Sequence, residues 1–126
     1  MSQALMVDDD PGQLRIREII LRNAGMASLL ANDAAAALAR LRDSLRDGLR
    51  DKGGEIGLVI TDHNLPGCSG AELVRQIRQV APTMPVVVLT GMPGVEPEYE
   101  GLDVIFCFKP LPPDEFIRVV RELLSR

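Results

Sequence analysis

Short apolar runs alternate with segments of helical periodicity along the whole chain, and no repeat, linker or low-complexity tract divides it. Each run is only a few residues long and is apolar at successive positions, which is typical of strands that are covered on both faces. We predict five strands, at residues 4–7, 26–31, 56–61, 85–90 and 104–108.

The segments between the runs carry apolar residues at the spacing of an amphipathic helix. Gly25 is placed to end the first helix, and Ser69 with Glu72 fits a capping box that begins the third. The last helix is predicted over residues 114–124. The apolar positions are Leu14, Ile16, Ile19 and Ile20, then Ala34, Leu38, Leu41 and Leu45, then Leu73, Ile77 and Val80, and finally Phe116, Val120 and Leu123.

Two segments depart from this regular alternation. The Arg/Asp alternation of residues 40–51 predicts a solvated, frayed helix end, and residues 42–54 are long for a compact connection. The fourth crossover, GMPGVEPEYEGLD at residues 91–103, contains prolines and glycines. Inside a helix each proline costs about 3 kcal/mol and each glycine nearly ~1 kcal/mol. We therefore predict a loop or a helical stub there.

Strands that are apolar on both faces and alternate with helices indicate a parallel sheet with helices on each side. The predicted fold is α/β, a flavodoxin-like doubly wound sheet of five parallel strands in the order 2-1-3-4-5, with a shortened or irregular fourth helix. A chain of 126 residues fits one domain, residues 1–126. In this fold the ligand crevice opens at the carboxyl ends of strands 1 and 3.

Composition and charge narrow the classes of function. Apolar residues make up 46% and charged residues 25%, which excludes a disordered or fibrous chain. The net charge of −4 argues against a nucleic acid bound through its phosphates and favours a cationic partner such as a metal ion. The short apolar runs and the acidic start predict neither a membrane span nor a secretory signal, so we expect a cytoplasmic protein. Cys68 and Cys107 lack metal-binding spacing and are interpreted as free thiols.

Polar residues follow four of the predicted strands, at the edge of the sheet where their carboxyl ends converge. An acid in this position commonly begins a turn or caps a helix, and Asp10 before Pro11 is interpreted in that way. The combination of the other residues is what indicates a site. They are Asp8 and Asp9 after the first strand, Asp62 after the third, Thr90 and Gly91 after the fourth, and Lys109 after the fifth.

The residue types in this cluster point to phosphoryl transfer. Carboxylates gathered in one crevice repel each other unless a cation lies between them, and oxygen ligands alone favour Mg²⁺. Lys109 is a suitable counter-charge for a phosphoryl group, to which the Thr90 hydroxyl and the Gly91 amide can donate hydrogen bonds. Asp62 then remains as the nucleophile, and the product would be an aspartyl phosphate.

Four stretches of the chain resemble motifs of the receiver domains of two-component response regulators, the CheY-like family. They are LMVDDDP at residues 5–11, VITD at 59–62 with LPG at 65–67 and Gly70, VVVLTG at 86–91, and FCFKP at 106–110. These motifs stand in the family's order and extend over nearly the whole chain. The resemblance implies that Asp62 accepts a phosphoryl group from a histidine kinase or a histidine phosphotransfer protein. It also implies a phosphoacceptor switch rather than a turnover enzyme.

The resemblance implies roles for the other residues of the cluster. Thr90 and Lys109 would contact the phosphoryl group. The implied ligands of Mg²⁺ are Asp8 or Asp9, Asp62 and the backbone carbonyl of Asn64.

The resemblance also implies a conformational switch made by Thr90 and the aromatic residue Phe106. Asn64 and Met92 stand at the two positions with which the family tunes dephosphorylation, and the Lys109–Pro110 bond is usually cis. The short, proline-rich fourth crossover puts the family's usual dimer and output face in doubt, although not the phosphate site.

Several alternatives remain open. Phe106 is equally compatible with plain core packing, and His63, the only histidine, is interpreted as a loop residue beside the site. A second hypothesis makes the protein a phosphorylation-independent interaction module on the same fold, which docks through the fourth crossover. A third is a Mg²⁺-dependent phosphohydrolase of the haloacid-dehalogenase type, which needs a second acid where this chain has Asn64. Direct DNA binding is not predicted, so the downstream partner would be another protein or a further output domain.

Overall fold

Five parallel strands form the central sheet. The computed structural model describes residues 2–47 and 55–125. The strands are β1 Ser2–Val7, β2 Ser28–Ala31, β3 Glu55–Asp62, β4 Val86–Thr90 and β5 Ile105–Phe108. They lie in the order β2-β1-β3-β4-β5, and each neighbouring pair is parallel. The predicted flavodoxin-like α/β fold is therefore confirmed, with strand ends that differ from the prediction by one or two residues.

Helices cover both faces of this sheet. They are α1 Pro11–Asn23, α2 Ala34–Asp47, α3 Gly70–Val80 and α4 Pro113–Leu124. A two-residue antiparallel pair, Asn64–Leu65 with Cys68–Ser69, links β3 to α3. Among the described residues, no helix is long and apolar enough to span a membrane.

The helix ends follow the signals in the sequence. The Asp10 carboxylate accepts hydrogen bonds from the amides of Gly12 at 2.9 Å and Gln13 at 3.3 Å, so Asp10 caps α1, as predicted. The Ser69 hydroxyl accepts from the amide of Glu72 at 3.2 Å, which confirms the hydroxyl half of the capping box. Gly25 has a φ of 84° two residues after the end of α1, a conformation that favours glycine.

The core lies in two layers, one on each face of the sheet. Because side chains alternate along a strand, Leu5 and Val7 of β1 point to one layer, whereas Ala4 and Met6 point to the other. The first layer contains buried residues of α2 and α3, and the second contains buried residues of α1 and α4. Both faces of the sheet are thus apolar, which is why the strands read as continuous apolar runs.

Two residues of the predicted apolar stripes are exposed instead. The side chains of Ile16 and Leu45 are 53% and 52% exposed. Leu14 and Leu21 define the buried stripe of α1, and Ile16 lies roughly 200° around the helix from Leu14. On α2 the buried position falls on Ser44, whose hydroxyl accepts a hydrogen bond from the amide of Ile56. Residues 48–54 lie outside the described residues. They include the end of the predicted frayed segment (residues 48–51) and the last part of the long connection predicted at residues 42–54.

The fourth crossover contains only one turn of 3-10 helix, Glu96–Tyr99, so the predicted stub is confirmed. Gly94 and Gly101, before and after it, have φ values of 81° and 78°. These conformations are natural for glycine and interrupt a regular helix.

Arginines of α3 hold this irregular segment in place. The Arg78 guanidinium donates to the carbonyls of Leu102 at 2.8 Å and Asp103 at 2.9 Å, and to that of Met84 at 2.7 Å. Arg75 donates to the carbonyl of Glu98 at 3.2 Å. A regular helix would satisfy backbone carbonyls internally, and here side-chain donors do so instead.

Candidate functional site

Three carboxylates meet at the carboxyl edge of the sheet, as the sequence predicts. Asp8 directly follows β1, and Asp62 is the last residue of the neighbouring strand β3. One carboxylate oxygen from each of Asp8, Asp9 and Asp62 lies within 4.8 Å of the other two. Asp8 is buried, Asp62 is half-buried and Asp9 is exposed, so the cluster extends from the interior to the surface.

Asp62 has one engaged and one open carboxylate oxygen. Its Oδ1 accepts from the Lys109 Nζ at 3.1 Å and from the amide of His63 at 3.0 Å. Its Oδ2 receives no hydrogen bond from any residue that the structure describes. The carboxylate is thus oriented through one oxygen, while the other is available to attack an electrophile or to bind a cation.

Asp8 is held by Arg17, a contact that the sequence analysis missed. Arg17 Nη1 donates to Asp8 Oδ2 at 2.8 Å, and the two side chains are only 13% and 3% exposed. The other oxygen, Oδ1, accepts from the amide of Asp10 at 3.0 Å. Both oxygens of Asp8 are therefore occupied by donors from within the chain.

Thr90 lies at the end of β4 and is buried. Its Oγ1 accepts from the amide of Met92 at 3.0 Å, whereas the acceptor nearest to the hydroxyl proton among the described residues is the Met92 carbonyl, at 3.5 Å. A separation of 3.5 Å is long for a hydroxyl donor, so the proton can turn to a better acceptor. The Asn64 side-chain amide donates to the Met92 Sδ at 3.3 Å, which joins the two predicted tuning positions across the site.

Lys109 and Gly91 lie side by side at the same edge. The Lys109 amide donates to the Thr90 carbonyl at 2.9 Å, and the Lys109–Pro110 bond is cis, as the resemblance implies. A Cβ added to Gly91 would lie 3.8 Å from the Lys109 Cβ. The predicted members Asp8, Asp9, Asp62, Thr90, Gly91 and Lys109 thus converge, while the roles of the Gly91 amide and the Asn64 carbonyl stay predictions.

His63 lies in the bend directly after Asp62, which agrees with its interpretation as a loop residue beside the site, and the structure shows in addition that it is buried. Its side chain is 7% exposed, and its Nδ1 lies 2.8 Å from the hydroxyl of Tyr99. The Nε2 lies 3.6 Å from a carboxylate oxygen of Glu98, whose side chain is half exposed. The reason is tertiary, because the 3-10 turn of the fourth crossover folds back over the residue that follows Asp62.

Tyr99 connects this contact to the edge of the sheet. It is buried, and its ring packs edge to face on Phe106, with centroids 5.2 Å apart. Burial, with smaller contributions from the charges of Glu98 and Asp62, raises the pKa of the Tyr99 hydroxyl well above its ordinary value. The Tyr99 hydroxyl therefore stays protonated. Phe106 is partly buried against the core, which agrees with its interpretation as a packing residue.

Two further features concern the surroundings of the cluster. A groove of about 290 Å³ lies between α1 and α4, and Arg17, Lys109, Ile16 and Phe116 are among its lining residues.

Cys68 and Cys107 are free thiols, as predicted, and burial raises the pKa of both. Neither thiol is therefore activated as a nucleophile.

The acids fit the preferences of Mg²⁺. Magnesium ions are bound by one or two carboxylates together with waters and phosphate oxygens, and all the side-chain ligands available from Asp8, Asp9 and Asp62 are oxygens. No nitrogen or sulfur ligand belongs to this group of residues, which argues against zinc or copper.

The two residues that the sequence analysis missed, Arg17 and Tyr99, carried weak signals. Arg17 stands nine positions after Asp8, on the same side of α1 as the buried Leu14 and Leu21. A charged residue on an apolar stripe is a sign of a buried partner. Tyr99 is the only tyrosine, and it lies in a segment that has no periodicity to show which way its side chains point.

Comparisons with known proteins agree on the type of domain. The response regulator receiver domain family matches residues 4–121. The response regulator Rre1 of Synechocystis is 34% identical over 128 residues, covering 97% of this chain and 51% of Rre1. The DNA-binding response regulator MtrA of Mycolicibacterium smegmatis is 30% identical over 125 residues, covering 97% of this chain and 50% of MtrA. The chain thus spans about half the length of these relatives.

Solved structures show the same fold. A CheY-like response regulator receiver domain protein from Methanospirillum hungatei superposes with a TM-score of 0.83 at 24% identity, covering 99% of this chain and 94% of that protein. A response regulator described as putative, from Chloroflexus aurantiacus, gives a TM-score of 0.81 at 26% identity and full coverage of both chains.

Proposed function

The chain belongs to the response regulator receiver domain family, and from that premise we propose that Asp62 accepts a phosphoryl group from a histidine kinase or a histidine phosphotransfer protein. One observation carries the proposal. Three carboxylates lie within 4.8 Å of one another, and the Lys109 ammonium group lies 3.1 Å from Asp62. A nucleophile, a cation site and a counter-charge for phosphate are thus gathered at one edge of the sheet.

The chemistry proposed for Asp62 starts from its open oxygen. Oδ2 attacks the phosphorus atom of a phosphohistidine, the new O–P bond forms, and the P–N bond to the donor histidine breaks. The Lys109 ammonium, the Thr90 hydroxyl and the Gly91 amide are proposed to donate to the equatorial phosphoryl oxygens. The protein's share of catalysis is positioning and charge neutralisation.

Asp8, Asp9 and Asp62, with the Asn64 carbonyl, are the residues proposed to hold Mg²⁺. When bound, the ion would neutralise part of the negative charge that the incoming phosphoryl group adds to the acids. Such neutralisation favours the reaction because the phosphoryl group brings further negative charge to acids that Arg17 and Lys109 compensate only in part.

Phosphorylation would be transmitted by a change of shape rather than by turnover of a substrate. The Thr90 hydroxyl would give up the Met92 carbonyl as its acceptor and donate to a phosphoryl oxygen instead. Phe106 and Tyr99, which pack on each other, are the aromatic residues that we propose respond to this change. The receiving partner is a downstream protein or an output domain, and the setting is the cytoplasm, where histidine kinases present their phosphate.

Intact-mass measurement tests the proposal directly. The chain is incubated with acetyl phosphate and Mg²⁺, and we expect it to gain one phosphoryl group that is lost again at alkaline pH. The Asp62→Asn variant should gain none. Asp114→Asn, an exposed aspartate at the start of α4, is the matched control and should be phosphorylated like the original chain. Equal labelling of the Asp62→Asn variant would refute the assignment.

A further inference from the structure

Asp8 is proposed to bind a metal ion, yet it already forms an ion pair with Arg17, which is unusual for a metal ligand. Arg17 lies on α1, nine residues after Asp8, and its guanidinium donates to Asp8 Oδ2 at 2.8 Å. With exposed fractions of 13% and 3%, both side chains are largely removed from water. Solvent screens this ion pair little, and breaking it leaves a buried charge without a partner, which is costly.

The charges around the site show what this pair does to a cation. Asp8, Asp9 and Asp62 contribute three negative charges, and Arg17 and Lys109, each bonded to one of these acids, contribute two positive charges. The five side chains together carry a formal charge of −1. A divalent ion that enters this group therefore meets one uncompensated carboxylate rather than three.

Both oxygens of Asp8 already accept a hydrogen bond from within the chain. Oδ2 accepts from Arg17, and Oδ1 accepts from the amide of Asp10 at 3.0 Å. The Asp10 amide is held by its place at the start of α1, where the Asp10 side chain caps the helix. The Arg17 side chain is the donor that is free to move, because a long guanidinium arm can rotate away without unfolding the helix.

We propose that Arg17 is a built-in competitor for Mg²⁺, which holds Asp8 in the metal-free protein and thereby sets the Mg²⁺ concentration at which the receiver becomes able to accept phosphate. The proposal rests on the proposed function for the identity of the ion. It concerns the affinity of the site, not the chemistry at Asp62. If the Arg17–Asp8 pair must break before the ion binds Asp8, the apparent affinity for the ion equals the intrinsic affinity multiplied by the fraction of molecules in which the pair is broken.

Calorimetric titration with MgCl₂ measures this competition without reference to phosphorylation. We expect Arg17→Gln to bind Mg²⁺ about tenfold more tightly than the original chain, the size expected for one charge-assisted hydrogen bond. Arg15→Gln is the matched control, since it removes the same charge from the same helix at a side chain that is 71% exposed. Its affinity should stay within about twofold of the original, because an exposed charge is screened.

Thermal unfolding is a second measurement of the competition, and unlike calorimetric titration it does not require a large heat of binding. Without Mg²⁺ the Arg17→Gln variant should melt at a lower temperature, because Asp8 has lost its partner. Saturating Mg²⁺ should close most of this gap, since the ion replaces the missing positive charge. A merely structural arginine would leave the gap unchanged.

Three results would overturn the inference. Equal Mg²⁺ affinities for Arg17→Gln and Arg15→Gln, or a weaker affinity for Arg17→Gln, would show that Arg17 does not compete. If the original chain is nevertheless phosphorylated at Asp62, the proposed function stands and the inference about Arg17 alone fails. If no variant binds Mg²⁺ and none is phosphorylated, both fail. Should Arg17→Gln not fold, Arg17→Lys replaces it. We expect it to bind Mg²⁺ more tightly than the original chain and Arg15→Gln, by less than about tenfold, because a hydrated ammonium group pairs less firmly, and an affinity no higher than theirs would overturn the inference.

Discussion

Substitution of Gly70 tests whether Tyr99 is held against His63, the residue that follows Asp62. Gly70 is the first residue of α3, and it is buried directly below the Tyr99 hydroxyl. A Cβ at this position would lie 2.5 Å from the Tyr99 Oη and 2.8 Å from the backbone oxygen of Asp62. Real Cβ atoms do not tolerate such distances, so Gly70→Ala must displace Tyr99, the backbone of β3, or both.

The magnitude follows from these contacts. Overpacking of a core position costs about 1–3 kcal/mol. Displacing the Tyr99 hydroxyl also leaves the buried Nδ1 of His63, now 2.8 Å away, without a partner, which costs about 1–3 kcal/mol. The better helix propensity of alanine returns only about 0.5–1 kcal/mol. We therefore expect Gly70→Ala to lower the free energy of unfolding by about 2–4 kcal/mol.

A double-mutant cycle separates the two contributions. Tyr99→Phe removes the oxygen that the new Cβ would meet, so the double variant should lose about 1 kcal/mol less than the sum of the single variants. Urea unfolding followed by far-ultraviolet circular dichroism gives all four values without using tyrosine emission. Gly91→Ala is the control, since its Cβ would meet only the Lys109 Cβ at 3.8 Å. Strict additivity, or a Gly70→Ala variant as stable as the control, would refute the close approach of Tyr99.

Two further predictions concern the same region. The pKa of Tyr99 is raised by folding, so its protonated form stabilises the protein below its ordinary pKa of 10.0, and this stabilisation is lost as the pH rises toward the folded value. Since Tyr99 is the only tyrosine, the ultraviolet absorbance of phenolate should not develop near pH 10 in the folded chain but should do so in urea, and a normal titration of the folded chain would contradict its burial. Arg78→Gln should destabilise the chain by about 1–3 kcal/mol in urea unfolding, because four backbone carbonyls lose a charged donor. The control Arg118→Gln, at an exposed side chain, should lower the free energy of unfolding by less than about 0.5 kcal/mol. Equal losses for the two variants would show that Arg78 does not stabilise the fourth crossover.

The local signals of the sequence were enough for the fold and for the composition of the site. The apolar runs identified all five strands, because a strand of a parallel sheet is buried on both faces and shows this in its residues. The parallel order then placed the ends of β1, β3, β4 and β5 at one edge, so Asp8, Asp62, Thr90 and Lys109 could be assigned to one site before their distances were known. The prolines and glycines of residues 91–103 likewise predicted that the fourth crossover contains no regular α-helix.

What the sequence did not reveal are contacts between residues far apart in the chain whose side chains follow no periodic pattern. Nothing near His63 indicated that Tyr99, 36 positions later, would cover it and bury its ring. Nor did the helical spacing of α1 indicate that Arg17 would reach back to Asp8 and bond to it at 2.8 Å. Periodicity reports which face of an element is buried, whereas the pairing of individual polar groups depends on how the elements are packed. For this protein the sequence by itself determined which residues meet at the carboxyl edge of the sheet, and only the tertiary structure decided which donors already bond to them.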